Sequence, residues 1–189
     1  MISLRRLRIG DHFLWSSNRP CQLLRAEDVG EIERGLERFV QIMKDRNIKT
    51  VVVLLTDEEM QRSYGQSLKD FYSKHGLKVI HYPIEDFSVP TSMESFDKLE
   101  STLQEEISKN DILIHCAGGL GRTGMVIAGL AIHKGRSAEE AIQLVRRMRH
   151  GSVEERSQEE FLKRYSSSLE LKESLYNIFK NIRRSHRPR

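Results

Sequence analysis

At 189 residues the chain suits one compact domain with short extensions, and its 38% hydrophobic content supplies a core and excludes a wholly disordered polymer. Lysine and arginine exceed aspartate and glutamate by 31 to 27, a mild positive balance that fits anionic ligands but does not by itself imply nucleic acid; an ordinary solvated surface looks the same. Only Cys21 and Cys116 occur, with no Cys-x-x-Cys pair, which argues for a reducing compartment and against structural zinc.

In chain order, residues 1–8 are positively charged but no apolar stretch follows, and the run 51–55 is far too short to span a bilayer. A soluble intracellular protein with no integral membrane association is expected, cytoplasmic or, in a eukaryote, also nuclear. Residues 11–26 read as irregular or short strand structure. Residues 29–46 space Val29, Ile32, Leu36, Phe39, Val40 and Met43 at helical intervals. A strand over 50–55, a helix around 58–75 and a strand over 77–82 follow, then a loop over 83–91, a helix over 93–109 and a strand over 111–115. Helices near 122–134, 137–149 and 157–180 complete the chain, with Gly135 and Gly151 as breaks. Strands alternating with helices predict an α/β single domain with a mainly parallel sheet covered on both faces. The expected folded unit is 1–180, followed by a basic tail over 181–189 that serves as a disordered solubilising end or contacts a membrane surface, nucleic acid or an acidic protein.

The most informative segment is 115–124, His-Cys-Ala-Gly-Gly-Leu-Gly-Arg-Thr-Gly, which begins where the apolar strand over 111–115 ends. Cys116 and Arg122 are six positions apart with Gly118, Gly119 and Gly121 between them, so a tight turn can bring thiol and guanidinium to one bound group. The helix that follows places the loop at a helix N-terminus, whose unpaired amides and positive dipole end favour an anion. The same field, with Arg122, suits a thiolate nucleophile at Cys116. The bland alternative is a buried cysteine closing a core strand before an ordinary turn. A reactive loop at the carboxyl end of a strand is also where open α/β sheets place ligands.

This segment resembles the signature of the cysteine-dependent protein tyrosine phosphatase superfamily, in which histidine and cysteine precede five variable residues, an arginine and a serine or threonine. The likeness covers roughly residues 45–165, and the glycine-rich loop looks most similar to the compact dual-specificity group, including kinase-associated phosphatases and small microbial tyrosine phosphatases. It implies a phosphocysteine intermediate on Cys116, phosphate held by Arg122 and the loop of Ala117, Gly118, Gly119, Leu120 and Gly121, and a Thr123 hydroxyl serving the departing sulfur. The loop Pro83-Ile84-Glu85-Asp86-Phe87-Ser88-Val89-Pro90 resembles the superfamily's general-acid loop, with Asp86 at the matching position and Glu85 or Asp57 as alternatives. Without Cys116, Asp86 would read as a turn residue bonding its own backbone. His115 resembles the superfamily's invariant loop-ordering histidine, and its spacing alone reads as a buried strand-end residue. Gln158 resembles the glutamine that some members use to orient hydrolytic water, though a helix-surface glutamine fits the same position.

No cofactor or metal is expected. The other histidines show no i, i+4 pairing, and the cluster Arg146, Arg147 and Arg149 reads as a solvated helix face or a steering patch for a phosphorylated partner. The expected substrate is a phosphorylated protein, phosphotyrosine first, because the loop's variable positions add no charge for a polyphosphorylated ring; the upstream phosphotyrosine-clamping segment of asparagine, arginine and tyrosine is not found, which argues against strict phosphotyrosine specificity and admits phosphoserine or phosphothreonine. A monomer that does not bind nucleic acid completes the expectation. Alternatives are a phosphoinositide or RNA 5′-phosphatase of the same superfamily and a phosphoprotein-binding module without turnover.

Overall fold

The computed structural model describes residues 2–24 and 27–185. Along the chain these form β1 (Arg5–Ile9), β2 (His12–Ser17), α1 (Val29–Asp45), β3 (Ile48–Val53), α2 (Asp57–Tyr64), α3 (Leu68–Lys74), β4 (Lys78–His81), α4 (Met93–Ile107), β5 (Asp111–His115), α5 (Gly121–His133), α6 (Ala138–Met148) and α7 (Arg156–Ser185). The strands make one sheet in the order β1-β2-β5-β3-β4, antiparallel between β1 and β2 and parallel elsewhere. The strand that carries the cysteine loop is therefore central.

Side chains alternate across a strand, so β3 and β5 feed two cores. Val51, Val53 and Leu113 face a layer built from α1, α2 and α3, including Leu36, Phe39, Met43, Tyr64 and Tyr72. Val52, Ile112 and Ile114 face the opposite layer of α4, α5, α6 and α7, including Phe96, Leu103, Met125, Val126, Phe161 and Tyr165. Helix α5 lies wholly inside this second layer, with Gly121 through Ile132 all buried. Gly129 makes its close packing feasible, since a Cβ there would lie 2.4 Å from both Phe96 Cζ and Glu100 Oε1.

The structure departs from the sequence expectation at β1, at the break within 58–75 and at the end of α7. Strand β1 was not anticipated: Arg5, Arg6 and Arg8 make it look like surface, yet charged side chains are how an edge strand is kept from pairing further. Strand β2 falls within a stretch read as irregular or short strand, and it is the element that joins β1 to β5. The single helix expected over 58–75 is two helices, because Gly65 at φ +63 caps α2 in the left-handed region and Ser67 starts α3 by accepting from Asp70 N–H. Helix α7 runs to Ser185 rather than ending at 180, with Leu171, Leu175, Tyr176 and Ile178 exposed. Residues 186–189 of the expected tail lie outside the described residues. No described helix is long and apolar enough to cross a membrane.

Candidate active site

Cys116 follows β5 directly and is 3% exposed. The turn beyond it folds back so that Gly119 N–H donates to Cys116 Sγ at 3.1 Å. Gly119 is needed twice over: its φ is +74, and a Cβ there would sit 2.4 Å from Ser17 O and 2.7 Å from Asn18 N. Outward-facing carbonyls of the same loop are tied to the body of the protein. Ala117 O accepts from Arg19 N–H at 3.0 Å, and Gly118 O accepts from Arg149 Nη2 at 3.0 Å. With its carbonyls held outside, the loop and the first turn of α5 keep backbone N–H groups for an anion.

Arg122 sits in that first turn and is 1% exposed. Its Nη1 and Nη2 donate to the two oxygens of Glu59 at 2.7 and 2.9 Å, and Nη1 also donates to Ile84 O at 2.8 Å. This bidentate fork fixes the guanidinium plane. Burial works against the charge, but the Glu59 hydrogen bond and the charges of Cys116, Glu59 and Asp86 outweigh it and raise the Arg122 pKa. For Glu59, burial alone would push the carboxyl up; the Arg122 and Thr56 hydrogen bonds, with the charges of Arg122 and Arg19, more than offset this and hold it below its ordinary value. Asp86 reaches the same arginine from the 83–91 loop, with Oδ1 2.8 Å from Arg122 Nη2, while remaining 52% exposed on its outer side. Next to it, Phe87 adopts φ +57, donates its N–H to Asp86 Oδ1 at 3.2 Å and exposes 63% of its surface at the rim.

Beneath the cysteine, His115 is fully buried and its Nε2 lies 3.3 Å from Tyr72 Oη, with Phe39 and Tyr72 packed edge-on against the ring. Burial pushes its pKa down to about 4, with a Cys116 backbone group and the Arg122 charge making smaller contributions of opposite sign. A neutral imidazole here orders the strand end and cannot serve as a charged group at neutral pH. Thr123 Oγ1 is buried and has no hydrogen-bond partner among the described residues, so its hydroxyl is uncommitted.

Gln158 is 1% exposed, which removes the helix-surface reading. Its Nε2 donates to Ser88 O in the Asp86 loop at 3.2 Å, and its Oε1 lies 3.2 Å from where a Gly121 Cβ would be. Glu154 approaches the same spot, its Oε2 accepting from Gly121 N–H at 2.8 Å. The segment leading there is strained: Val153, β-branched, takes φ +58, a conformation costing about 1–3 kcal/mol. Arg146 holds it by donating to Ser152 O at 3.2 Å and Val153 O at 3.1 Å. Exposed Arg146 and partly buried Arg149 thus also brace these loops, while Arg147 remains on the solvated face.

The structure brings together Cys116, Arg122, Asp86, Thr123, His115 and Gln158 with the loop of 117–121. It leaves Asp57 elsewhere, on the surface with Lys69 2.6 Å away. Cys21 and Cys116 are both free thiols, and no cluster of metal-ligating side chains occurs among the described residues. Sequence reasoning missed Glu59, Tyr72 and Glu154, and singled out Arg149 without its bond to the loop carbonyl. Of those missed, only Glu59 left a signal, as the last residue of a Thr56-x-x-Glu59 capping box that the structure forms at α2.

A family profile described as polymorphic toxin system, DSP-PTPase phosphatase matches residues 30–136. Cyclin-dependent kinase inhibitor 3 of Sus scrofa is 30% identical over 145 residues, spanning 74% of this chain and 67% of that protein. The solved structure of Tk-PTP in the active form is 33% identical with a TM-score of 0.66, covering 86% of this chain and 97% of that one. A kinase-associated phosphatase with serine replacing its catalytic-site cysteine has a TM-score of 0.77 at 24% identity, covering 89% of this chain and 96% of that one, a likeness of fold. The profile spans β3, β4, β5, the Asp86 loop and the 115–124 loop with its arginine, and on that footing the chain belongs to the DSP-PTPase family of cysteine-dependent protein phosphatases.

Proposed function

We propose that the chain hydrolyses phosphomonoesters on proteins, phosphotyrosine first and phosphoserine or phosphothreonine next, by two displacements at phosphorus. Cys116 thiolate attacks in line, forming the S–P bond as the P–O bond to the leaving group breaks, and Asp86 gives its proton to the departing oxygen. Arg122 and the amides of 117–121 hold the phosphoryl oxygens. Water positioned by Gln158 then attacks the phosphocysteine, returns a proton to Asp86 and releases inorganic phosphate, with Thr123 donating to the sulfur as it leaves. His115 orders the loop from below. Thiolate, guanidinium and amides supply nucleophile and charge stabilisation, so no metal enters either step.

The observation that supports this reading is the 2.8 Å approach of Asp86 to Arg122, which brings a carboxyl group from a separate loop to the arginine of the cysteine loop. Exposed Phe87 beside it offers an aromatic surface against which a phosphotyrosyl ring can pack. The catalytic unit is assigned to 1–180, with 181–189 as a basic extension whose first residues continue α7 to Ser185, acting as a cytoplasmic monomer. Hydrolysis of an aryl phosphate and of matched phosphotyrosyl and phosphothreonyl peptides, in chelator and reductant, tests the reading. Turnover is expected with the tyrosyl peptide preferred, and Cys116→Ser should lower it by at least about 10⁴-fold. Turnover that survives in Cys116→Ser would exclude the cysteine as nucleophile.

A further inference from the structure

Gly121 N–H is the first amide of α5 and belongs to the set of unpaired donors that a phosphate would use, yet it already holds an anion of the protein's own. Glu154 Oε2 accepts from it at 2.8 Å. This contact is built rather than incidental. A Cβ at position 121 would lie 2.7 Å from Glu154 Oε2, so a larger residue there would oblige the carboxylate to shift, and glycine lets it sit close against the amide. The approach is set by Val153, buried and in the left-handed region, whose carbonyl is held by Arg146 and whose N–H donates to Leu120 O within the loop itself. Glu154 is exposed and can swing away. We infer that Glu154 is an affinity-setting residue of the phosphate cradle, an internal carboxylate that occupies the Gly121 amide in the empty site and must leave it when a phosphoryl group enters.

The inference rests on the phosphate-cradle reading above and adds a competitor to it. A carboxylate and a phosphate dianion cannot share one donor without strong repulsion in a partly desolvated site. Glu154 therefore weakens the binding of free phosphate and of poorly anchored monoesters, favouring substrates whose remaining contacts compensate for its displacement. Inorganic phosphate titrated calorimetrically into the full chain tests this without chemistry. Glu154→Gln, which keeps an acceptor for Gly121 N–H but carries no charge, and Glu154→Ala should each bind phosphate roughly tenfold tighter than wild type. Unchanged affinity in Glu154→Gln with weaker binding in Glu154→Ala would overturn the inference and make the residue a loop brace. Should the alanine variant not fold, the glutamine variant decides alone. Aryl phosphate turnover is read separately: its absence with phosphate binding intact would remove the enzymatic reading, and the titration would still decide the role of Glu154. Failure of all three proteins to bind phosphate would overturn both.

Discussion

The ten residues of 115–124 and the ring of side chains around them are organised in opposite ways. The loop is contiguous and its parts meet through backbone geometry: a strand end, a glycine turn and a helix start. The surrounding ring comes from distant positions, with Glu59 on α2, Tyr72 on α3, Asp86 in the loop after β4, Arg149 after α6 and Gln158 on α7. The proposed nucleophile and phosphate ligands are encoded locally, because one turn holds them as a unit, while the proposed proton donor Asp86 and Gln158 reach them from the ring. Placement is encoded at long range, because only the packed layers can hold an arginine plane or a carbonyl in register.

Substitutions that separate these two regions should differ in size and in what they change. Asp86→Ala, which removes the proposed proton donor, should lower kcat by about 10²–10⁴-fold while KM changes little; equal kcat in the variant would remove Asp86 from the reaction. Arg122→Lys keeps the charge and loses the planar fork, so kcat/KM should fall about 10²–10³-fold, and a smaller loss would mean that the amides carry the phosphate. Glu59→Gln touches no substrate. By loosening the Arg122 plane it should cost about tenfold in kcat/KM, together with about 1–3 kcal/mol of stability seen in denaturant unfolding.

Two buried titrating groups probe the supports by pH. His115 has its pKa depressed from an ordinary 6.5 to about 4, so the unfolded chain takes up a proton that the folded protein refuses. The stabilisation this represents is present above 6.5 and lost as pH falls toward 4, about 3 kcal/mol if His115 acts alone. His115→Asn should flatten that acid limb of the stability curve. Glu100 has the opposite sign. It is fully buried on α4 against Gly129, neither oxygen has a partner among the described residues, and burial, with the Asp97 charge, raises its pKa well above 4.5. Its contribution is complete below 4.5 and lost as pH rises, so Glu100→Met should raise stability at pH 7 by about 1–3 kcal/mol without altering kcat. A destabilised Glu100→Met would point to a polar role for that carboxyl.

What could be read from the sequence follows the same division. The central strand, the buried helix after the loop and the amphipathic spacing of Ile32, Leu36, Phe39 and Met43 were legible because each is a periodic apolar signal within one segment. The Asp86 loop was legible through its prolines and its resemblance. Strand β1 was hidden by its arginines, which serve the edge and not the core. Glu59 carries a capping-box pattern that accounts for it completely at short range, so nothing local betrays the second bond to Arg122 across 63 positions. Glu154 sits after a valine, and no residue type announces a left-handed β-branched turn.

The most direct test of the thiolate displacement is mass spectrometry of Cys116 after rapid acid quench of Asp86→Ala turning over an aryl phosphate in chelator. Without Asp86 as base, the second displacement is slowed, and an aryl leaving group departs with little need of an acid. A phosphoryl adduct confined to the Cys116 peptide, absent from Cys116→Ser, is the expected result. Substrate consumed over the same interval with no adduct on Cys116 would contradict a phosphocysteine intermediate.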